Sequence, residues 1–191
     1  MKRVHSAGPP GAVRIIGGSL RGSKLAVPAL AGLRPTPQRL RETLFNWLMP
    51  VIEGARVLDP FAGSGALGIE AISRGAGSAL LVERDRAQAQ KIIADLQRLH
   101  VSNAEVQCAG ALELLAQTPA RPFGIVFLDP PFESECWSRA ADLLDANGWL
   151  APDTYIYIES PADMVPALPA HWALHRETVA GGVRGALYRA G

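Results

Sequence analysis

The stretch Val57 to Gly68, V-L-D-P-F-A-G-S-G-A-L-G, constrains this chain more than any other. A short apolar run ends in Asp59, a turn carries Gly63 and Gly65, and an Ala/Leu/Ile-rich helical pattern follows from Ala66 to Ser73. That succession is how the first strand of a doubly wound α/β sheet passes into a ligand-binding helix. Gly63 and Gly65 permit backbone conformations that a Cβ obstructs, and they let main-chain N–H groups approach a ligand closely. The loop reads as a binding surface.

The spacing Gly63-x-Gly65-x-x-Gly68 also matches the dinucleotide fingerprint, and Glu83 lies where an acidic side chain meets a ribose hydroxyl pair. The loop by itself does not choose a cofactor. Asp59 narrows the choice, because a carboxylate at the strand end faces the loop and would repel a pyrophosphate. S-adenosylmethionine carries no phosphate, and its ammonium and sulfonium favour an acid there. The residues point to S-adenosylmethionine, with an NAD-dependent oxidoreductase as the competing class.

With 191 residues, 48% of them apolar, the chain can bury one substantial core. The simplest division is a flexible Gly/Pro-rich tail at 1–11, a basic hairpin-and-helix segment at 12–50, and a catalytic domain at 51–191. No apolar run approaches membrane-spanning length, and Met1 to Gly11 has no apolar h-region, so a cytoplasmic protein without membrane association is expected. Cys108 and Cys136 are isolated, as suits reduced thiols. Net charge is near zero but unevenly spread. Met1 to Arg41 holds eight Lys or Arg residues and no Asp or Glu, whereas the remainder holds eleven basic against eighteen acidic residues. An anionic partner met by the N-terminal part, most simply nucleic acid, follows.

In chain order, Val13 to Ile16 and Lys24 to Val27 are strand-like runs separated by Gly17 to Gly22, a hairpin with a basic, glycine-rich loop. Gln38 to Met49 places Leu40, Leu44, Phe45 and Leu48 at helical spacing, with Thr36 as N-cap and Pro37 at the first helical position. Arg39 and Arg41 are expected off that stripe and free for a ligand. Ala79 to Glu83 is a second strand, Asp85 to Leu99 an amphipathic helix, and Ala104 to Cys108 a third strand. Gly124 to Leu128 is uniformly apolar, as a central parallel strand requires, and it delivers Asp129 to the carboxyl edge. Ser134 to Leu144 is helical, Tyr155 to Glu159 a fifth strand, and Ala173 to Val179 with Arg184 to Arg189 a hairpin around Gly181-Gly182.

Asp129-Pro130-Pro131-Phe132 is the second chemical signal. Two prolines give a stiff corner without N–H donors. An exocyclic amine on a base is a poor nucleophile because its lone pair is delocalised into the ring. If Asp129 and the Pro130 carbonyl accept its two N–H bonds, the lone pair is freed for a methyl group, and Phe132 can stack on the base. Such a turn suits any planar amine, so adenine N6 and protein amides stay open, as does a non-catalytic RNA-binding protein.

These stretches together resemble the RsmD family of 16S ribosomal RNA guanine-N2 methyltransferases along nearly the whole chain. The resemblance is carried by Arg14-Ile15-Ile16-Gly17-Gly18 with Arg21-Gly22, by Arg34-Pro35-Thr36, by Arg39 to Leu48, by Asp59 with Phe61 to Gly68, and by Asp129 to Phe132. It implies a Rossmann-like class I S-adenosylmethionine-dependent methyltransferase fold with an N-terminal β-hairpin and helix. It further implies methylation of N2 of guanine-966 in 16S rRNA, within the small subunit or its precursor, with S-adenosylhomocysteine as product and a monomeric enzyme. The residues that match are Asp129, Pro130, Pro131 and Phe132 for catalysis and Asp59, Phe61, Gly63, Gly65, Glu83 and Ala111 for the cofactor. Arg14, Arg21, Lys24, Arg34, Arg39 and Arg41 are expected to meet RNA. Two departures stand out. Gly110 replaces the Asp or Asn common near the adenine, which leaves that contact to the Ala111 N–H, and Pro60 replaces an aliphatic residue. No metal is expected: His171 and His175 are four apart on a strand-like run, about 13 Å along it.

Overall fold

The computed structural model describes residues 12–26, 37–132 and 136–191. Two short strands, β1 (Ala12–Arg14) and β2 (Lys24–Ala26), pair antiparallel ahead of helix α1 (Gln38–Leu48). The chain then alternates β3 (Arg56–Asp59), α2 (Ala66–Ser73), β4 (Ser78–Glu83), α3 (Arg86–Arg98), β5 (Ala104–Cys108), α4 (Ala111–Leu115), β6 (Phe123–Leu128) and α5 (Trp137–Ala146). It closes with β7 (Leu150–Pro161), β8 (Trp172–Ala180) and β9 (Val183–Ala190). The tail before Ala12, Val27, Arg34 and Thr36 lie outside the described residues.

The main sheet has the order β5-β4-β3-β6-β7-β9-β8, parallel from β5 to β7, with β9 antiparallel to both of its neighbours. From β3 the chain winds outward through β4 and β5, then returns to β6 on the other side of β3. The order therefore reverses between β3 and β6, and a crevice opens beyond their carboxyl ends. Side chains alternate between the two faces of the sheet. Val57, Leu81, Phe127 and Tyr157 belong to the cluster that includes residues of α1, α2 and α3; Leu58, Val82, Val126 and Ile158 belong to the one that includes residues of α4 and α5. Val13, Ile15, Leu25, Phe45 and Leu48 bury in the first of these clusters, so the N-terminal segment shares the sheet's core.

A polar clasp fixes that segment in place. The Glu70 carboxylate on α2, fully buried, accepts the backbone N–H groups of Ile16 (2.7 Å) and Gly17 (2.8 Å) and the Arg74 Nε–H (2.8 Å). Three residues on, Ser73 Oγ accepts from the Leu20 N–H and donates to the Gly17 carbonyl, while its own carbonyl accepts from the Ser19 N–H. Gly18 has φ +75, and a Cβ there would lie 1.7 Å from the Ser73 carbonyl oxygen. Glycine is required at that crossing.

Several expectations need correction. Arg41 is not free: it is 3% exposed, and its Nη2 donates to the Arg14 carbonyl. Residue 41 precedes Leu44, Phe45 and Leu48 by three, four and seven positions, the spacing of one helix face, so it lies on the apolar stripe. Pro37, not Thr36, is the N-cap, one residue later than expected, with no side-chain cap bond, and the helix begins at Gln38. The short helix α4 was not legible, β7 extends well beyond Tyr155 to Glu159, and α5 begins at Trp137. Among the described residues no helix is long and apolar enough to cross a membrane.

Candidate active site

The glycine loop forms as its residues demand. Gly63 and Gly65 have φ +54 and +76, and the Gly65 N–H turns back to the Ala62 carbonyl at 2.7 Å. At Gly68 the constraint is packing, since a Cβ would stand 2.8 Å from Leu81 Cγ. Glu83, at the end of the neighbouring strand, accepts the Gly63 N–H (3.0 Å) on one carboxylate oxygen and the Asp85 N–H (2.8 Å) on the other. Each oxygen keeps a second lone pair. Glu83 is thus a brace for the loop as well as a partly exposed acceptor beside it. The Ala109 N–H donates to the Glu83 carbonyl, which sets Ala111, first residue of α4, against the same edge. Phe61 packs partly buried at the rim of the second core cluster.

Asp59 lies beneath the loop rather than on its surface. It is 1% exposed, its Oδ2 accepts the Gly68 N–H at 3.1 Å, and its Oδ1 is buried without a partner. Burial pushes its carboxyl up to about 7, the Gly68 N–H opposes that rise, and Asp129 and Glu83 add to it. The folded protein therefore holds a proton that the unfolded chain releases near pH 4. Stability falls as pH rises from about 4 to about 7, by up to a few kcal/mol. Asp59→Asn keeps the acceptor for Gly68 and removes the titration. In urea unfolding it is expected to match the native protein near pH 4 and exceed it at pH 8; equal stability at pH 8 would exclude the ionisation.

Across the switch point, Asp129 directly follows β6 and is partly buried, Pro130 is buried, and Pro131 and Phe132 are exposed. The Phe132 ring lies 5.9 Å from Trp137, whose indole N–H donates to the Glu159 carbonyl at 2.6 Å. Trp137 thus ties the turn to the end of β7. The Tyr157 hydroxyl donates to the Glu159 carboxylate at 3.0 Å, and burial together with Glu159 and Asp129 holds that phenol well above its ordinary pKa. The Tyr157–Glu159 pair of this edge escapes the sequence reading, as does the Glu70–Ser73 clasp farther along α2. Tyr155, Tyr157 and Glu159 at alternate positions are the signal that could have found the pair.

The basic residues divide. Arg14, Arg21, Lys24 and Arg39 are exposed, Arg41 is internal, and Arg34 lies outside the described residues. Arg14 Nη1 donates to the Gly22 carbonyl across the hairpin. Of the histidines set aside as ligands, His171 pairs with Asp145 at 2.9 Å, and no group of metal-ligating side chains occurs among the described residues.

Comparison with known proteins bears on this edge. The family model described as conserved hypothetical protein 95 matches residues 13–189. The chain is 52% identical to ribosomal RNA small subunit methyltransferase D of Escherichia coli K12, over 99% of this chain and 95% of that protein. The solved structure of the E. coli protein yhhF superimposes with a TM-score of 0.87 at 50% identity, covering 94% of this chain and 98% of that one. An RNA methyltransferase of Salinibacter ruber, solved with S-adenosyl-L-homocysteine, shares the fold at 18% identity, with a TM-score of 0.62 over 82% of this chain and 94% of that one. A glycine loop braced by Glu83, an Asp-Pro-Pro-Phe turn across the switch point and these full-length matches place the chain in the ribosomal RNA small subunit methyltransferase D family.

Proposed function

We propose that this chain transfers a methyl group from S-adenosylmethionine to the exocyclic N2 of guanine-966 in 16S rRNA, within the small ribosomal subunit or its precursor. The observation that carries this reading is the placement of Asp129 and its proline corner opposite the glycine loop, on the two sides of one switch point. Protein groups around the loop fit a methyl donor that is cationic and free of phosphate: Glu83 offers a partly exposed carboxylate beside the loop, Asp59 holds the loop from beneath through the Gly68 N–H, and Gly63 and Gly65 keep side chains out of the way. S-adenosylmethionine contributes an activated methyl group; S-adenosylhomocysteine is what remains.

The chain's own residues do the rest. The loop backbone, Phe61, Glu83 and Ala111 hold the nucleoside end. Asp129 and the Pro130 carbonyl accept the two N–H bonds of the guanine amine, which turns its lone pair out of the ring's π system. As nitrogen gains the methyl it loses a proton, which passes to the Asp129 carboxylate or to water. Phe132, backed by Trp137, stacks on the base and keeps it out of its own surroundings. Arg14, Arg21, Lys24 and Arg39 meet phosphates, so residues 12–50 serve as the RNA-facing part and 51–191 as the catalytic part of a cytoplasmic monomer. The buried Arg41 takes no share in that contact.

Incubation with labelled S-adenosylmethionine and small subunits lacking the modification, followed by mapping, tests the reading. Label in a single 16S guanine as N2-methylguanine is the expected result. Label on adenine N6 or on protein would replace the substrate, and no transfer at all would leave RNA binding without chemistry.

A further inference from the structure

β8 ends at Ala180 and β9 begins at Val183, opposite Pro161 at the carboxyl end of β7. The β8–β9 turn therefore stands on the same sheet edge as the Asp129 corner. Three strand spacings separate β8 from β6, about 14 Å across the sheet. Gly181 and Gly182 both have positive φ, the two-residue turn that a twisted hairpin favours. The tip bears no side chain, and a Cβ at Gly181 would sit 3.8 Å from the Pro37 ring at the start of α1. Between tip and helix runs an open groove of about 360 Å³. Its polar lining is Arg39 and Thr43 from α1 and Thr178 from β8, beside the exposed Val179.

We infer that this groove holds the phosphodiester backbone of the RNA strand flanking the target base; the inference rests on the RNA-methyltransferase reading. The Arg39 guanidinium, the Thr178 hydroxyl and bare glycine backbone are groups that position a phosphate without reading sequence, while the Thr43 hydroxyl, which donates to the Arg39 carbonyl at 3.0 Å, keeps acceptor capacity for a ribose hydroxyl. No described carboxylate forms an ion pair with Arg39, and the nearby Glu177 is committed to Arg184 at 2.7 Å. The groove's positive charge is therefore available to an anion. Arg14, Arg21 and Lys24 belong instead to the β1–β2 hairpin, so α1 and the β8–β9 tip supply a contact that the N-terminal hairpin alone does not.

The test is the affinity of a fluorescein-labelled single-stranded oligoribonucleotide of mixed sequence, measured by anisotropy at fixed ionic strength. Thr43→Glu/Thr178→Glu places two negative charges in the groove and is expected to weaken binding at least tenfold. Ala173→Glu/Leu174→Glu adds the same charge to exposed positions at the other end of β8 and is expected to stay within twofold of the native protein. Arg39→Gln, which adds neither bulk nor negative charge, is expected to weaken binding several-fold should the double variant fold poorly. Binding within twofold for the folded double variant and for Arg39→Gln, or an equal loss in the control, would overturn the groove assignment. Native methyl transfer to unmodified small subunits is followed in parallel. Transfer without the binding contrast removes the groove and leaves the enzyme; the contrast without transfer does the reverse.

Discussion

Asp129→Ala is expected to bind S-adenosylhomocysteine and RNA almost normally, yet to lose on the order of 10²-fold or more in single-turnover methyl transfer, the scale for deleting one preorganised electrostatic partner. The carboxylate follows the last residue of β6 and stands near enough to Asp59 to raise its pKa; in the proposed reaction it faces the amine rather than the cofactor. In that proposal its interaction with the amine strengthens as charge develops on nitrogen, and such a group appears in turnover more than in affinity. Phe132→Ala is expected to differ. That ring is 37% exposed and rests on Trp137, so its loss removes stacking worth about 1–3 kcal/mol, and part of the defect should yield to saturating RNA. Near-normal turnover in Asp129→Ala would reduce the Asp-Pro-Pro-Phe corner to a turn.

Glu70→Ala is expected to have the largest effect on stability. The carboxylate is wholly buried, and removing it strands two backbone N–H groups and the Arg74 guanidinium at once. Breaking a buried pair of this kind costs about 3–5 kcal/mol. For a chain of this size that lowers Tm by roughly 10 °C. Cleavage by a protease within the β1–β2 hairpin should accelerate before the rest of the fold is lost. Glu70→Gln keeps an acceptor for one N–H and should fall between. A Tm within two or three degrees of native in Glu70→Ala would show that Val13, Ile15 and Leu25, with the Ser73 hydrogen bonds, hold the hairpin without the carboxylate.

The parts of the molecule that were legible in its sequence are those with local causes. The Asp59-to-Ser73 strand, turn and helix, the third strand at Ala104 to Cys108 and the corner after β6 each follow from a short run of residue types, and the structure reproduces their bounds closely. What escaped depends on contacts distant in sequence. Glu70 reads as one charge in an apolar helix until Ile16 and Gly17, more than fifty residues earlier, are brought against it. Arg41 departs from expectation for a related reason: its charge suggests solvent, although its spacing from Leu44, Phe45 and Leu48 is that of the buried face. The depth of Asp59 was likewise invisible, because a strand-end carboxylate can lie above or below its loop, and only the Gly68 N–H draws it under.

The place of β9 has a consequence for how the chain reaches its native state. Among the described residues, strand β8 has β9 as its only partner in the main sheet, and β9 alone joins it to β7. While β9 is missing, β8 has no ladder to join and the apolar edge of β7 is open, a template for pairing with another chain. Vectorial synthesis from the N-terminus makes residues 183–190 available after every other element described here. The parallel half of the sheet can assemble during elongation, but its antiparallel flank must wait and then form by inserting a strand between two others. A late, slow refolding phase that vanishes once β9 is removed would be its kinetic signature.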